Sequence, residues 1–498
     1  MHNRIFLMAA SSLCAMTAGA QQRPNIILLM TDQQRFDALG CMGNDAVLSP
    51  NIDALAADGT LFMNGYSTCP SSTPARAGLL TGMAPWHHGM LGYGRVAPTY
   101  RNEMPRMLHN AGYYTYGIGK MHWHPQRNGH GFDGLLLDES GRVEDPFFVS
   151  DYRQWLQQQA PGVDPDVTGV GWNDHGARVY QLDEKLHPTY WTGETACAFI
   201  RNYNNDKPLF MKVSFARPHS PYDPPKRLLD KYAKRTMPER VIGDWADRYG
   251  KEQDPAKANP SAAYGNFGEA YAQNSKRHYY ASVTFIDEQV GRIIRELKRK
   301  GMYENTLILF LSDHGDMLGD HHHWRKTYPF EGSVHVPYLV KWPKADGVKP
   351  GRVTQPVELR DVLPTFLQAA GAAVPDSMDG RPLQMLVDGR SADWRRYIDL
   401  EHARCYSRDE DWCGLTDGKM KYVWYFYDGR ELLFDLTKDP YEQHNAVADN
   451  AYANQLKAMR GALAEHLSER GPEYVADGKL VVRKKFILYS PHYPAKKP

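Results

Sequence analysis

The sequence predicts an α/β fold with a large, mostly parallel sheet sandwiched by helices and a smaller C-terminal subdomain built on an antiparallel sheet. Two observations predict it. Short, almost wholly apolar runs alternate with longer helical stretches through most of the chain, as in buried parallel strands joined by helices. Beyond about residue 385 the pattern changes to short aromatic runs separated by tight turns, which is typical of antiparallel strands.

Four of the apolar runs end at polar residues suited to chemistry. The runs cover residues 25–30, 114–118, 209–215 and 306–311. In an open parallel sheet, ligands bind outside the carboxyl ends of the strands. We therefore expect one shared site for the residues that follow these runs: Asp32 and Gln33, Lys120 and His122, His219, and Asp313 and His314.

Two helices are clear from their periodicity. Over residues 279–300, apolar side chains recur on one helical face, basic residues fill the last turn, and Gly301 is the expected cap. This helix should cover the sheet and take no part in catalysis. A second helix, over about residues 361–370, should end at Gly371.

The chain divides into three predicted segments. Residues 1–20 have a positive start, an uncharged apolar stretch too short to span a membrane, and a small-residue cleavage site, as in a signal peptide. Residues 21–385 form the predicted catalytic domain. Residues 386–498 form the C-terminal subdomain, with a hairpin turning at Asp417-Gly418 and a helix over about residues 452–469.

Charge and cysteine content narrow the class of protein. The net charge is +1, which favours neither nucleic-acid binding nor a polybasic membrane contact. No later segment is long and apolar enough to cross a bilayer, so we expect a periplasmic or otherwise exported, soluble bacterial protein. Five cysteines remain after residue 20. Cys405 and Cys413 are close enough to pair, and a free, buried state is equally compatible with the sequence.

The run from Ser72 to Gly82 carries the most specific signal. It follows the pattern Ser-x-Pro-x-Arg-x-x-x-x-Thr-Gly. A Ser before a Pro can simply cap a helix, but Arg76 and the Thr-Gly pair in register disfavour that alternative. The pattern closely resembles the signature of type I, formylglycine-dependent sulfatases, and of bacterial glycosaminoglycan sulfatases among them. The resemblance implies an alkaline-phosphatase-like fold.

The same resemblance implies a role for each catalytic candidate. Ser72 would be oxidised to Cα-formylglycine by a serine-type maturase, and its hydrated aldehyde would attack sulfur. Arg76 would hold the gem-diol, and Lys120 and Lys326 would bind sulfate oxygens. His122 would take the proton that starts sulfate release. His219 would protonate the leaving alcohol as a general acid.

The resemblance also assigns a metal site. Asp32, Gln33, Ser72, Asp313 and His314 would hold Ca²⁺, with Mg²⁺ as the alternative, since both ions prefer hard oxygen ligands. Gln33 departs from the family's usual second Asp and removes one negative charge. Three consecutive histidines, His321 to His323, could also suggest zinc. Adjacent side chains cannot easily face one ion, so we expect them at the surface or rim.

The expected substrate is a sulfated oligosaccharide, and the enzyme is expected to act from the chain end of glycosaminoglycans. His124 and Arg127 lie beside a candidate segment, and His402 and Arg404 lie in the predicted C-terminal subdomain. These cations could bind a uronic acid carboxylate, which favours the 2-O-sulfate of a terminal uronate, although each could equally be a solvated surface residue. Three alternatives remain open: an arylsulfatase, a phosphonate monoester or phosphodiester hydrolase, and a non-catalytic glycan-binding relative with an unmodified Ser72.

Overall fold

The computed structural model describes residues 23–494. The predicted signal segment, residues 1–20, lies outside the described residues.

The strands are β1 (Asn25–Asp32), β2 (Thr60–Phe62), β3 (Gly65–Tyr66), β4 (Tyr114–Gly119), β5 (Gly134–Leu137), β6 (Leu209–Pro218), β7 (Thr306–Ser312), β8 (Tyr338–Lys341), β9 (Gly351–Val353), β10 (Val357–Glu358), β11 (Ile398–His402), β12 (Trp412–Thr416), β13 (Met420–Tyr425), β14 (Glu431–Asp435), β15 (Val475–Ala476) and β16 (Lys479–Leu480). The α-helices are α1 (Pro50–Ala57), α2 (Ser72–Thr81), α3 (Pro85–His88), α4 (Met104–Asn110), α5 (Asp151–Gln159), α6 (Pro188–Asn202), α7 (Lys226–Lys231), α8 (Glu269–Arg299), α9 (Glu331–Val334), α10 (Val362–Ala369) and α11 (Ala453–Leu467).

Eight strands form one large sheet in the order β5-β4-β6-β1-β7-β8-β2-β9. Neighbouring strands run parallel except at β8, which is antiparallel to both β7 and β2. The four apolar runs predicted from the sequence are β4, β6, β1 and β7, and they are adjacent in the sheet. The mostly parallel sheet is therefore confirmed, and the polar residues after these strands share one edge.

Helices cover both faces of the large sheet. Successive residues of a strand point to opposite faces, and β1 shows this directly. Ile27 and Leu29 pack with the buried side chains of α1, α6, α7 and α8. Ile26 and Leu28 pack with those of α2, α4 and α10. Burial on both faces explains why β1 has no polar residue between Ile26 and Met30.

The two predicted helices are present. The first is α8, which spans Glu269–Arg299 and starts ten residues earlier than the periodicity predicts. The early turns bury polar side chains, including Ser275, Lys276 and His278, so the apolar pattern does not reveal them. The second helix is α10, and Gly371 follows it with a φ of +67°, a left-handed conformation that glycine adopts without strain.

The C-terminal subdomain contains the predicted antiparallel sheet, with strand order β11-β12-β13-β14. The predicted hairpin joins β12 to β13, and Gly418 at its turn has a φ of +80°. One side of this sheet packs on α11. The other side packs on buried residues from earlier in the chain that include Tyr66, Tyr328 and Phe330. The five described cysteines are free, so Cys405 and Cys413 are not paired.

One expectation about exposure is wrong. His321, His322 and His323 are buried, with exposed fractions of 2%, 9% and 1%. His321 and His322 both have positive φ, and the rings of His321 and His323 both lie against Trp245 and Phe330. His321 packs on Trp245 and His323 on Tyr328, so aromatic packing holds them inside. Within residues 23–494, no helix is both long and apolar enough to cross a membrane.

Candidate active site

Ser72 is the first residue of α2 and is only 1% exposed. Its Oγ lies 3.1 Å from Nε2 of His314 and 3.4 Å from Oδ2 of Asp32. The preceding Ser71 occupies the N-cap position of α2. Its hydroxyl contacts Nε2 of His402 at 2.8 Å and makes no hydrogen bond to a backbone N–H of the helix. The Ser72 hydroxyl therefore faces the ends of β1 and β7 and is not a helix cap.

Asp32, Asp313 and His314 form a group suited to a divalent cation. One ligand atom from each lies within 4.8 Å of the others, and all three residues are buried. Nδ1 of His314 donates to the Gly315 carbonyl at 2.9 Å. The lone pair of Nε2 is therefore free to face the two carboxylates, as in a metal-ligating histidine. Two carboxylates and one imidazole fit a hard divalent cation such as Ca²⁺ or Mg²⁺.

Arg76 links this group to the rest of the site. Its guanidinium is fully buried and contacts Oδ2 of Asp313 at 2.9 Å and Oδ2 of Asp32 at 3.1 Å. It also donates to the carbonyl of Lys120 at 2.6 Å and to Oγ of Ser214 at 3.1 Å. Arg76 thus holds the ends of β1, β4, β6 and β7 in one arrangement.

Asp32 stays ionised despite complete burial. Burial opposes its charge, but Lys120 at 2.6 Å and Arg76 outweigh that effect and hold the pKa of Asp32 well below its usual value. The same burial lowers the pKa of Lys120, and Asp32 offsets only part of this. The site therefore keeps an anionic ligand group next to a buried amine.

Gln33, Lys326 and His219 form a chain of contacts beside this group. Gln33 has a φ of +69°, and the Tyr279 hydroxyl of α8 fixes this turn by donating to its carbonyl at 2.6 Å. The amide oxygen of Gln33 accepts from Nζ of Lys326 at 2.6 Å, and its amide nitrogen donates to Asp316. The amide oxygen of Gln33, which would be the metal ligand, therefore already accepts a hydrogen bond from Lys326. Ligation of a metal by Gln33 stays a prediction.

Lys326 also contacts the predicted general acid. Its Nζ lies 2.7 Å from Nε2 of His219, and Nδ1 of His219 donates to the Ser220 carbonyl at 3.0 Å. Burial is the main cause that lowers the pKa of Lys326 to about 7 and that of His219 well below its usual value. The two groups therefore form a hydrogen-bonded pair within the site.

His122 lines the same cavity as Ser72. Its φ is +60°, and its backbone N–H donates to Oε1 of Glu139 at 3.0 Å. Its ring accepts a hydrogen bond from Arg142. Burial, reinforced by Arg142 and Lys120, holds the pKa of His122 well below its usual value. His122 is therefore a neutral base candidate.

A cavity of about 250 Å³ opens onto these groups. Its floor includes Ser72, His122 and Lys326. Its walls come from several distant segments: Ser71, Tyr93, Arg142, Asn173, Arg325, Thr327, Cys405 and Tyr406. Arg142 and Asn173 come from the long segment between β5 and α6.

Three predicted substrate contacts, Lys120, His124 and Arg404, do not line this cavity. The Lys120 side chain is fully buried against Asp32. Nδ1 of His124 faces Oε2 of Glu144 at 3.2 Å. Arg404 is exposed and stacks over the ring of Phe486 at 4.8 Å. The cavity instead receives Arg142 and Arg325, which the sequence reasoning missed. Arg325 directly precedes the predicted sulfate-binding Lys326, so its place beside the site could have been predicted from the sequence. The residues around Arg142 contain no motif that would have predicted its place in the cavity.

Comparison with known proteins identifies the family. The "Sulfatase" family model matches residues 24–372. A model described as "N-sulphoglucosamine sulphohydrolase, C-terminal" matches residues 319–469. The chain is 37% identical to an arylsulfatase of Clostridium perfringens, over 92% of this chain and 97% of that protein.

The chain belongs to the sulfatase family. It is also 31% identical to a choline-sulfatase of Rhizobium meliloti, over 90% of this chain and 87% of that protein. Its fold is similar to that of a protein solved in complex with its substrate D-glucosamine-2-N,6-O-disulfate, with a TM-score of 0.72 and 24% identity over 90% of this chain and 98% of that one. The alkaline-phosphatase-like fold is thereby confirmed, and the enzyme is a sulfuric ester hydrolase.

Proposed function

We propose that this sulfatase is an exported, formylglycine-dependent enzyme that removes sulfate from the terminal sugar of glycosaminoglycan oligosaccharides, with the 2-O-sulfate of a terminal uronic acid as the favoured group. The observation that carries the proposal is the buried Ser72 hydroxyl, 3.1 Å from His314, at the floor of a small cation-lined cavity. Pockets for larger ligands usually measure about 300–1,000 Å³. A cavity of about 250 Å³ suits one sugar unit and favours action from a chain end.

Each reacting group has a residue of suitable chemistry nearby. Once Ser72 is formylglycine, its hydrated aldehyde supplies the nucleophile and a second hydroxyl for sulfate release. Lys326, which lines the cavity, and Lys120, which lies behind it against Asp32, would bind sulfate oxygens and offset the charge that repels a nucleophile. The His219–Lys326 pair is placed to donate a proton to the ester oxygen. His122, which is neutral and lines the same cavity, would take a proton during sulfate release.

A divalent cation fits the same arrangement. Asp32, Asp313, His314 and Ser72 would hold Ca²⁺, or Mg²⁺, and Gln33 lies next to them. The ion would supply positive charge that lowers the pKa of the bound hydroxyl. Arg76 binds both carboxylates and would keep their orientation fixed.

The charge of the cavity favours an anionic substrate. Its lining includes Arg142, Arg325 and Lys326 and no Asp or Glu. A quaternary ammonium group such as choline would be repelled there. A uronic acid or a sugar with several sulfates would be attracted. This contrast favours a glycosaminoglycan fragment over a choline ester.

Maturation and export complete the proposal. Ser72 is 1% exposed, so a serine-type maturase would have to act before the chain folds. Residues 1–20 would direct export and be removed. Residues 21–385 would form the catalytic domain, and residues 386–498 the subdomain that closes the site. The Ser71 hydroxyl donates to Nε2 of His402. This contact ties β11 of the subdomain to the start of α2 and supports a role for the subdomain in closing the site.

The proposed substrate can be tested directly. Mature enzyme is incubated with sulfated disaccharides from heparin and from chondroitin, and the products are separated by chromatography. We expect loss of sulfate from at least one disaccharide, and Ser72→Ala as the matched control should leave all of them intact. If simple aryl sulfates are hydrolysed while every disaccharide survives, the glycosaminoglycan proposal is wrong.

A further inference from the structure

The cavity beside Ser72 carries more positive charge than one sulfate ester neutralises. A sulfate monoester has a single negative charge, and Lys326 already lines the cavity at the proposed sulfate position. Arg142 and Arg325 add two further cations to the lining, which contains no carboxylate. Neither arginine has a carboxylate within 4.0 Å among residues 23–494. These two charges therefore need another counter-ion.

Arg325 is the more constrained of the two. It is only 8% exposed, and its buried Nε has no hydrogen-bond partner. Its guanidinium stacks 4.2 Å above the ring of Tyr406. Its φ is +68°, and its backbone N–H is fixed by Oδ1 of Asp316 at 3.1 Å. The side chain is thus held at the cavity wall by its backbone and by Tyr406.

Other buried arginines of this chain show the usual solution to such a charge. Arg76 pairs with Asp32 and Asp313, and Arg360 and Arg470 also have carboxylate partners. Burying a charge without a partner is unfavourable. Arg325 departs from this pattern at the place where the cavity opens, so a ligand can supply the missing anion.

Arg142 adds a second donor on the same cavity. Its guanidinium donates to the ring of His122, a neutral partner that supplies no negative charge. The buried carboxyl of Glu139 lies near enough to feel the charge of Arg142 but forms no ion pair with it. Guanidinium groups bind carboxylate and sulfate oxygens through paired N–H donors. Two such groups on one small cavity can hold an oxyanion close to the sulfate that is removed.

We infer that Arg325, together with Arg142, forms a subsite for a second oxyanion on the same sugar unit as the ester that is cleaved, either a carboxylate or a further sulfate. The inference rests on the proposed function, since it assumes a sugar with its sulfate at Ser72. It makes Arg325 a specificity determinant that discriminates doubly charged from singly charged substrates. Stacking on Tyr406 would orient the guanidinium for this contact.

Equilibrium binding tests the subsite independently of turnover. All proteins carry Ser72→Ala, which blocks hydrolysis, and binding is measured by calorimetry with Ca²⁺ present. One pair of probes is N-acetylglucosamine 6-O-sulfate, which carries one negative charge, and glucosamine 2-N,6-O-disulfate, which carries two. The other pair is a 2-O-sulfated uronic acid and its methyl ester, so that a sulfate and a carboxylate are compared separately. The variants are Arg325→Met and Arg325→Lys, and the control is Arg408→Met, an exposed arginine stacked over Tyr427.

We expect the doubly charged member of at least one pair to bind about 10- to 100-fold tighter, as for one charge-assisted hydrogen-bonded contact. Arg325→Met should remove most of this preference, Arg325→Lys should restore part of it, and Arg408→Met should keep it. Equal binding within both pairs would overturn the inference even if no variant folds. An unchanged preference in Arg325→Met would also overturn it. Failure of the proposed function is a separate result, seen as absent sulfate release from every sugar by the mature enzyme.

Discussion

The contact between His219 and Lys326 predicts how the leaving alcohol receives its proton. Nδ1 of His219 donates to the Ser220 carbonyl at 3.0 Å, so in a neutral ring Nε2 carries no proton. Nε2 accepts from Nζ of Lys326 at 2.7 Å. The transferable proton therefore resides on Lys326 and is shared with His219. Removing either residue should disable the same donor.

The expected magnitude follows from general acid catalysis. Loss of a general acid costs about 10²- to 10⁴-fold where protonation is needed, which equals about 2.7–5.4 kcal/mol of transition-state stabilisation. His219→Ala and Lys326→Met should each show this loss on alkyl sulfates. Because both residues act through one proton, kcat/KM of the double variant on alkyl sulfates should be no more than about tenfold below that of the less active single variant. Independent roles would multiply the losses to about 10⁴- to 10⁸-fold.

The assay compares kcat/KM for 4-nitrophenyl sulfate, whose leaving group needs little protonation, with kcat/KM for alkyl sulfates. The ratio between the two substrates separates proton donation from sulfate binding by Lys326, which affects both. His444→Ala serves as the control, since this histidine pairs with Asp244 at the surface, outside the cavity. Equal losses on both substrates, or multiplicative losses in the double variant, would refute a shared proton donor.

Three further predictions concern the nucleophile, the metal and stability. Ser72→Ala should abolish turnover while circular dichroism and thermal unfolding stay unchanged; turnover within about tenfold of wild type, a barrier change of only ~1.4 kcal/mol, would contradict its role. Asp313→Asn should lose the bound divalent cation in elemental analysis, and full metal content would argue against the proposed ligands. Burial lowers the pKa values of His175, His321 and His323 to about 3, 4 and 3. The unfolded chain binds these protons below about pH 6.5 and the folded chain does not, so stability should fall as pH drops from 6.5 towards 4, by ~1.4 kcal/mol per pH unit for each histidine. Urea unfolding at several pH values measures this slope, which His175→Gln should reduce by one histidine's share, and a flat profile would contradict it.

The large sheet was predictable because its strands are marked locally. Asn25–Asp32 and Thr306–Ser312 are buried on both faces, so nearly every residue before the terminal polar groups is apolar. The helix α8 was only partly predictable. Its first turns bury Lys276, which contacts Asp320 at 3.2 Å. A buried polar residue that is satisfied by a distant partner leaves no periodic signal in the chain.

The site was predictable where a residue's chemistry and its strand end coincide. Asp32, Asp313 and His314 meet because the adjacent parallel strands β1 and β7 end at one edge, and Ser72 reaches them from the first residue of α2. The cavity walls were not predictable in the same way, because Arg142 and Tyr406 arrive from loops whose paths depend on tertiary packing. The side chains of His124 and Arg404 turn to Glu144 and Phe486, partners that their positions in the sequence do not indicate.

The most direct test of the central claim is the mass of the peptide that contains Ser72, taken from enzyme made in its native host. Formylglycine differs from serine by the loss of two hydrogen atoms, and the aldehyde also reacts with hydrazine reagents. The account predicts that the fraction of peptide with this lower mass tracks the specific sulfatase activity across preparations. Fully active enzyme in which Ser72 is unmodified would contradict it.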